Sequence, residues 1–328
     1  MYRTRFGGSV ASTWTLPPRA FRCSPNRSTS SIPRSEVARL LGPPAFASRA
    51  GSGKCEALSC AGAETDVPAQ PESDYYLLRR KRLLSLFDRL GRRMNARLAE
   101  RTGTAEAHAI VDDARCELES ILPELPFIGG NRNVFTWVVV VNGYIIALER
   151  AMKRRGFEPR EAVAVCVEVT DELLRKIPAG VLRLAGRLAF SSPSRRFFRA
   201  QAARSQERRY PDDFVYTVRE SGDGEMSLVF EECAVNKLYD AMAVEELKPY
   251  CNFFDVTYSR LMGMGVDARE TIGLGCETCE LRYKHGRATP MPPTLEPAFR
   301  NVGVDRATAD GAPGAPKNDG TRAGGEGA

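Results

Sequence analysis

The stretch FVYTVRESGDGEMSLVF, residues 214–230, marks the point where the chain changes from a helical to a strand-forming pattern. Its two ends, 214–218 and 226–230, are rich in valine and aromatic residues, which favour β-strands. Ser-Gly-Asp-Gly at 221–224 separates them, and glycine next to aspartate is typical of a tight hairpin turn. This stretch therefore predicts an antiparallel pair of strands.

Beyond the hairpin, the pattern predicts two helices and then two more strands. Helical spacing covers 233–243 and 250–262, and strand-like runs follow near 266–273 and 278–284. The element order is then β-β-α-α-β-β. Strands grouped in this way after a long helical region favour an α+β fold with a small antiparallel sheet.

Before the hairpin, residues 73–209 predict an N-terminal layer of helices. Apolar residues recur at helical spacing over 74–100 and 104–122, and Pro123 ends the second run. The run VFTWVVVVNGYIIAL at 134–148 is almost wholly apolar. It is shorter than the roughly 20 residues that a membrane-spanning helix needs. We therefore expect a buried helix there and no membrane span.

The two ends of the chain are expected to lie outside the folded domain. Residues 1–35 contain six arginines and no Asp or Glu, which is typical of an organellar transit peptide; a disordered extension is the alternative. A transit peptide would direct the protein to a plastid or mitochondrion, and otherwise a cytoplasmic location is expected. The expected divisions are an extension at 1–72, one α+β domain at 73–297 with its sheet in 210–285, and a disordered tail at 298–328.

The net charge of +6 does not indicate nucleic-acid binding. The excess arginines lie near the N-terminus and in the helical part, and no aromatic residues are interleaved with them in a known motif. The expected partner is a small-molecule substrate, and the sequence leaves the oligomeric state open.

Residues 232–285 concentrate the groups that can do chemistry, with four of the nine cysteines. Cys233, Cys251, Cys276 and Cys279 could form a Cys₄ zinc site, but the first two are not the second close pair that zinc ribbons use. Cys276-x-x-Cys279 could be a redox pair, but it enters a predicted strand instead of following one into a helix.

A cysteine nucleophile is the third interpretation. Cys233 lies at the start of a predicted helix, where the helix dipole lowers the pKa of a thiol. Glu232 and Asp255 are nearby acids that could transfer protons. Free cysteines are often simply buried packing residues, and this alternative also stays open.

Six motifs, in a fixed order and over most of the predicted domain, resemble the L-2-amino-thiazoline-4-carboxylic acid hydrolase family. The closing motif is the most specific of them, although it has Cys279-Glu-Leu281 where the family pattern has Cys-Asp-Phe, and an additional Cys276. The motifs are IGGNRN at 128–133, LERAMKRRG at 148–156, YPDDFVYTV at 210–218, FEEC at 230–233, LKPYCNFFD at 247–255 and RETIGLGCETCELRYK at 269–284.

The resemblance implies a hydrolase that opens a cyclic amidine such as 2-aminothiazoline-4-carboxylate, breaking a C–N bond to give a carbamoyl-cysteine. Cys233 would attack C2 of the ring, and Glu232 or Asp255 would act as general acid and base. Arg269 would bind the substrate carboxylate, because its planar guanidinium matches a carboxylate in two hydrogen bonds.

Two alternatives accompany this mechanism. A divalent metal held by Cys233, Cys251, Asp255 and Cys279 would activate water in place of a cysteine nucleophile. The protein would otherwise be a non-catalytic, ligand- or metal-binding member of the same fold, with structural cysteines.

Overall fold

The computed structural model describes residues 74–221 and 224–302. The expected extension at 1–72 and most of the expected tail lie outside these residues. The described α-helices are α1 (Arg80–Thr102), α2 (Thr104–Ile121), α3 (Thr136–Lys153), α4 (Pro159–Arg175), α5 (Ala179–Ala189), α6 (Ser192–Ser205), α7 (Ala234–Ala241) and α8 (Phe253–Met262).

The four strands form one antiparallel sheet in the order β1-β2-β4-β3. They are β1 (Val215–Glu220), β2 (Met226–Glu232), β3 (Val266–Glu270) and β4 (Cys279–Tyr283). The α+β class and the β-β-α-α-β-β order are therefore confirmed. β1 and β2 form the expected hairpin, although two residues of its turn, 222 and 223, are outside the described chain.

Strand β4 lies inside the sheet and presents a buried face to the helices. Cys279, Leu281 and Tyr283 are buried and alternate with less buried residues, because successive side chains of a strand point to opposite faces. Opposite β4, Phe230 of β2 pairs with Cys279, and Met226 pairs with Tyr283. A thiol and a phenol four residues apart are thus held on one face of the sheet.

Helix α3 is the buried helix that the apolar run predicts. Asn142 interrupts that run and is itself buried, with its Nδ2 donating to the carbonyl oxygen of Val138 at 2.8 Å. Its Oδ1 accepts the hydroxyl proton of Tyr239, which ties α7 to α3. Within the described residues, no helix is both long and apolar enough to cross a membrane.

Two side chains fix α8 against β3. The Nδ2 of Asn252, just before the helix, donates to the carbonyl oxygen of Ala268 at 2.7 Å. Near the other end, the backbone N–H of Val266 donates to the Oγ of Ser259 at 2.7 Å. These bonds set the position of the first turn of α8, where Asp255 lies.

The packed chain continues past the expected domain boundary at residue 297. Ala298, Phe299 and Val302 are buried against the core, with a short 3₁₀ turn at Glu296–Phe299. The expected boundary at 297 stays a prediction, and buried residues continue to Val302 in the described chain.

Candidate active site

Cys233 lies where β2 ends and α7 begins, and the residue as a whole is half-buried. Burial raises the pKa of this thiol, while the backbone N–H groups of Asn236 and Val235 lower it. The side chain makes no capping hydrogen bond of normal geometry. We expected the start of the helix to lower the pKa of the Cys233 thiol. The pKa is instead raised, because desolvation by burial exceeds the lowering by the helix N–H groups.

Cys233, Cys251, Asp255 and Cys279 come together in space, and we call them the thiol–carboxyl cluster. Burial is the main cause of the raised pKa of each thiol, and the nearby charge of Asp255 raises all three further. The four residues come from the start of α7, the turn before α8, the first turn of α8 and the start of β4. The fold thus joins residues that are up to 46 positions apart in the chain.

Asp255 is the acidic member of the cluster. Burial raises the pKa of its carboxyl to about 6, although a hydrogen bond from Tyr283 lowers it. In that bond the Tyr283 hydroxyl donates to Oδ1 at 3.0 Å. A carboxyl with this pKa is ionised at neutral pH and can take up a proton at modest cost, which suits a general acid and base.

Cys251 lies on the wall of the cluster that faces residues 271–273. Its pKa is well above the ordinary thiol value because of burial and of the neighbouring Cys233, Cys279 and Asp255. A Cβ placed on Gly273 would lie 2.1 Å from the carbonyl oxygen of Lys248 and 3.2 Å from the Cys251 sulfur. Gly273 therefore allows the 271–273 segment to approach the turn before α8.

We expect Gly273→Ala to displace this wall and to lower any activity of the site by about tenfold or more, because a misplacement of 1 Å is costly in an active site. The measurement is kcat/KM together with the melting temperature. Gly180→Ala is the matched control, since a Cβ on Gly180 meets nothing within 4 Å. Equal, small effects of both substitutions would contradict the role of Gly273.

Glu232 does not join the cluster. Its carboxylate forms ion pairs with Lys237 and Arg208 on the outer side of the sheet end. Two cations thus bind the Glu232 carboxylate, and its role in proton transfer stays a prediction.

Arg269 does not approach the cluster either. Its side chain is 60% exposed and forms an ion pair with Asp267, with Nε donating to Oδ1 at 2.8 Å. The groups that shift the pKa values of the cluster do not include it. That Arg269 binds the substrate carboxylate stays a prediction, and in this structure its guanidinium is exposed and paired with Asp267.

The arrangement of the cysteines and acids bears on two alternatives, a metal site in the cluster and a redox pair at Cys276 and Cys279. Among residues 74–221 and 224–302, no three His, Cys, Asp or Glu side chains are grouped so that they could hold a metal ion. The four residues predicted as metal ligands are therefore near one another without forming a ligand set. Cys276 is exposed and Cys279 is buried, and both are free thiols.

Three residues of the site were not predicted from the sequence as functional. Tyr283 hydrogen-bonds Asp255, Thr271 lies beside Cys251, and Tyr239 lies close to Cys251 and Cys233. The signal for Tyr283 was present, because it follows Cys279 by four residues on a strand and so shares its face. The contacts of the other two depend on how distant elements pack.

Comparison with known families gave a match to part of the chain. A family model described as L-2-amino-thiazoline-4-carboxylic acid hydrolase matches residues 139–283. Over these residues, the chain is similar to that family. No curated protein and no solved structure gave a significant match.

The segment that matches the L-2-amino-thiazoline-4-carboxylic acid hydrolase family runs from α3 to the last residue of β4. It contains the whole thiol–carboxyl cluster, Tyr283 and Thr271. Helices α1 and α2 and the IGGNRN motif at 128–133 precede it. The cluster therefore lies within the matched segment.

Proposed function

We propose that the protein is a hydrolase that opens a cyclic amidine such as 2-aminothiazoline-4-carboxylate at a C–N bond, giving a carbamoyl-cysteine. The family match supports a hydrolase of this general kind. The observation that carries the finer proposal is the proximity of Cys233 and Asp255, a thiol and a carboxyl of raised pKa, in one cluster.

In the first step, the sulfur of Cys233 attacks C2 of the ring and its proton passes to Asp255. The carboxylate is available for this transfer above about pH 6. The backbone N–H groups of Asn236 and Val235 favour the negative sulfur as the proton leaves. Asp255 then returns the proton to the ring nitrogen, and a second proton passes to this nitrogen from the exocyclic amino group. The C2–N bond breaks, the ring nitrogen leaves as a primary amine, and C2 stays bonded to Cys233 with the former amino group as C=NH.

In the second step, water adds to C2 and the Cys233 sulfur leaves, taking back a proton. The sum of the two steps is one substrate and one water giving one carbamoyl-cysteine. Asp255 serves first as base and then as acid in both steps. A group whose pKa is close to the working pH is suited to both roles.

The exposure of the cluster is compatible with a small substrate. As whole residues, Cys233, Cys251 and Asp255 are half-buried, whereas Cys279 and Tyr283 are buried.

The direct test is to incubate the purified protein with L-2-aminothiazoline-4-carboxylate and to follow products by mass spectrometry. We expect a carbamoyl-cysteine with a new primary amine and no new thiol. A new thiol would show that the C2–S bond breaks and would correct the C–N assignment. Absence of turnover with this substrate and with other cyclic amidines would contradict the proposal.

The alternative is a non-catalytic binding protein with structural thiols. The observation that favours it is the raised pKa of every thiol in the cluster, since a protonated thiol is a poor nucleophile. Thiol alkylation during turnover separates the two proposals: an enzyme loses its activity as Cys233 is modified, and a binding protein has no turnover to lose. Metal analysis of the purified protein tests the metal-binding form of this alternative.

Tyr283→Phe provides a test of Asp255 as the titrating base. The substitution removes the hydrogen bond that lowers the pKa of Asp255, so the pKa rises. We expect the acid limb of the kcat/KM profile to move to higher pH, with activity recovering at alkaline pH.

The control for this experiment is Tyr258→Phe. Tyr258 lies near Asp255, whose charge adds to the burial that raises the phenol pKa to about 12. Its loss should leave the acid limb in place. An acid limb that is the same in wild type and Tyr283→Phe would show that Asp255 does not control the profile.

A further inference from the structure

The amide side chain of Asn236 is a buried polar group without a hydrogen-bond partner. Asn236 is 6% exposed, and neither its Nδ2 nor its Oδ1 forms a hydrogen bond. Native proteins pair nearly all such groups, because a buried donor or acceptor without a partner is costly. An amide left open at both ends points to a ligand that supplies both an acceptor and a donor.

Asn236 lies on the side of α7 that faces the thiol–carboxyl cluster. Cys233, Asn236 and Tyr239 follow one another at intervals of three residues, which places them along one side of a helix. Tyr239 lies close to Cys251 and Cys233, whose charges add to the burial that raises its pKa. Along this side of α7, Asn236 therefore lies between Cys233, which is a member of the cluster, and Tyr239, which lies close to two of its thiols.

A second polar group beside the cluster is also poorly satisfied. Thr271 is 1% exposed, and its Oγ1 has no hydrogen bond of normal geometry. Its neighbour is the thiol of Cys251, which is a weak hydrogen-bond partner. Asn236 and Thr271 are thus two buried polar side chains beside the thiol–carboxyl cluster that lack hydrogen bonds of normal geometry.

We propose that Asn236 is the residue that recognises the amidine group of the substrate, an inference that rests on the proposed function. The N–C–N unit of a neutral 2-aminothiazoline presents an amino N–H donor and a ring-nitrogen acceptor side by side. The Asn236 Oδ1 accepts from the amino group and Nδ2 donates to the ring nitrogen, as the two ends of an amide permit. This pair of bonds holds C2, the carbon between the two nitrogens, toward Cys233.

The substitution that tests this inference is Asn236→Leu, with Asn236→Ala as a second variant. Leucine has a similar size without polar atoms, so we expect the free protein to keep or gain thermal stability. The KM for 2-aminothiazoline-4-carboxylate should rise at least tenfold with a smaller change in kcat, as expected when ground-state binding is lost. In the Cys233→Ser background, where turnover does not interfere, the Kd of 2-amino-2-thiazoline measured by NMR titration should rise to a similar extent.

Asn95→Leu is the matched control. Asn95 lies on α1, outside the family segment, and also has a buried Oδ1 without a partner. The Asn95→Leu substitution should leave KM and Kd unchanged. This result would separate ligand recognition from the general effect of removing a buried amide that lacks a hydrogen bond.

The outcomes distinguish this inference from the proposed function. Unchanged KM and Kd in both folded Asn236 variants, with an active wild type, would overturn the role of Asn236 and leave the hydrolase proposal intact. Binding of 2-amino-2-thiazoline that depends on Asn236, without turnover by the wild type, would support the recognition role and overturn hydrolysis. Neither binding nor turnover by the wild type would overturn both.

Discussion

Cys233→Ser should lower the turnover of 2-aminothiazoline-4-carboxylate by roughly a thousandfold or more, as the loss of a covalent nucleophile commonly does. A serine hydroxyl ionises much less readily than a thiol, and Asp255 alone cannot activate it to the same extent. The measurement is single-turnover kinetics near pH 8, where the Asp255 carboxylate is fully ionised, since its pKa is about 6.

The control for this experiment is Cys276→Ser. Cys276 is the exposed thiol of the Cys-x-x-Cys pair and is not part of the thiol–carboxyl cluster. We expect it to retain wild-type turnover. Full activity of Cys233→Ser would remove that thiol from every catalytic role assigned to it.

Asp255→Asn should abolish most of the activity and at the same time stabilise the protein above pH 6. Burial raises the pKa of Asp255 from its ordinary value of 3.8 to about 6. The folded protein therefore binds a proton more tightly than the unfolded chain does, and wild-type stability falls as pH rises from about 4 to about 6. Because asparagine carries no charge, the free energy of unfolding of the variant does not fall in this way as pH rises.

The expected gain in the free energy of unfolding is roughly 1–3 kcal/mol at pH 7–8, and it should vanish below about pH 4. Urea denaturation at several pH values measures it, alongside kcat/KM. Asp240→Asn is a suitable control, because Asp240 is an exposed residue of α7. A variant that is less stable than wild type at pH 8 would show that the Asp255 carboxylate is not destabilised in the folded protein.

The periodic elements of this fold could be predicted from local sequence. The hairpin at 214–230 and the buried helix at 136–153 follow from residue spacing and turn composition, which act over a few residues. The pairing order β1-β2-β4-β3 could not be derived in this way, because it depends on contacts between distant strands.

The sequence indicated which residues form the thiol–carboxyl cluster better than it indicated the contacts of the other candidate residues. Cys233, Cys251 and Asp255 could be found because thiols and carboxyls are concentrated in one short region. Arg269 was assigned by chemical type alone, but it lies at the exposed end of β3, where it forms an ion pair with Asp267. Glu232 was assigned by sequence proximity, and two cations beside it determine its state.

Burial explains the remaining differences between sequence and structure. A helix start lowers a thiol pKa only where desolvation is small, and the sequence around Cys233 does not report how deeply it packs. The unpaired amide of Asn236 is likewise visible only once every neighbour is in place. Both properties arise from the packing of α7 and α8 against the sheet.

The central claim is that Cys233 attacks C2 of a cyclic amidine. Its most direct test is rapid acid quenching of wild-type protein during turnover, followed by intact-protein mass spectrometry and peptide mapping. We predict an adduct with the mass of one whole substrate molecule, located on Cys233. Formation of carbamoyl-cysteine while Cys233 stays unmodified throughout turnover would contradict the account.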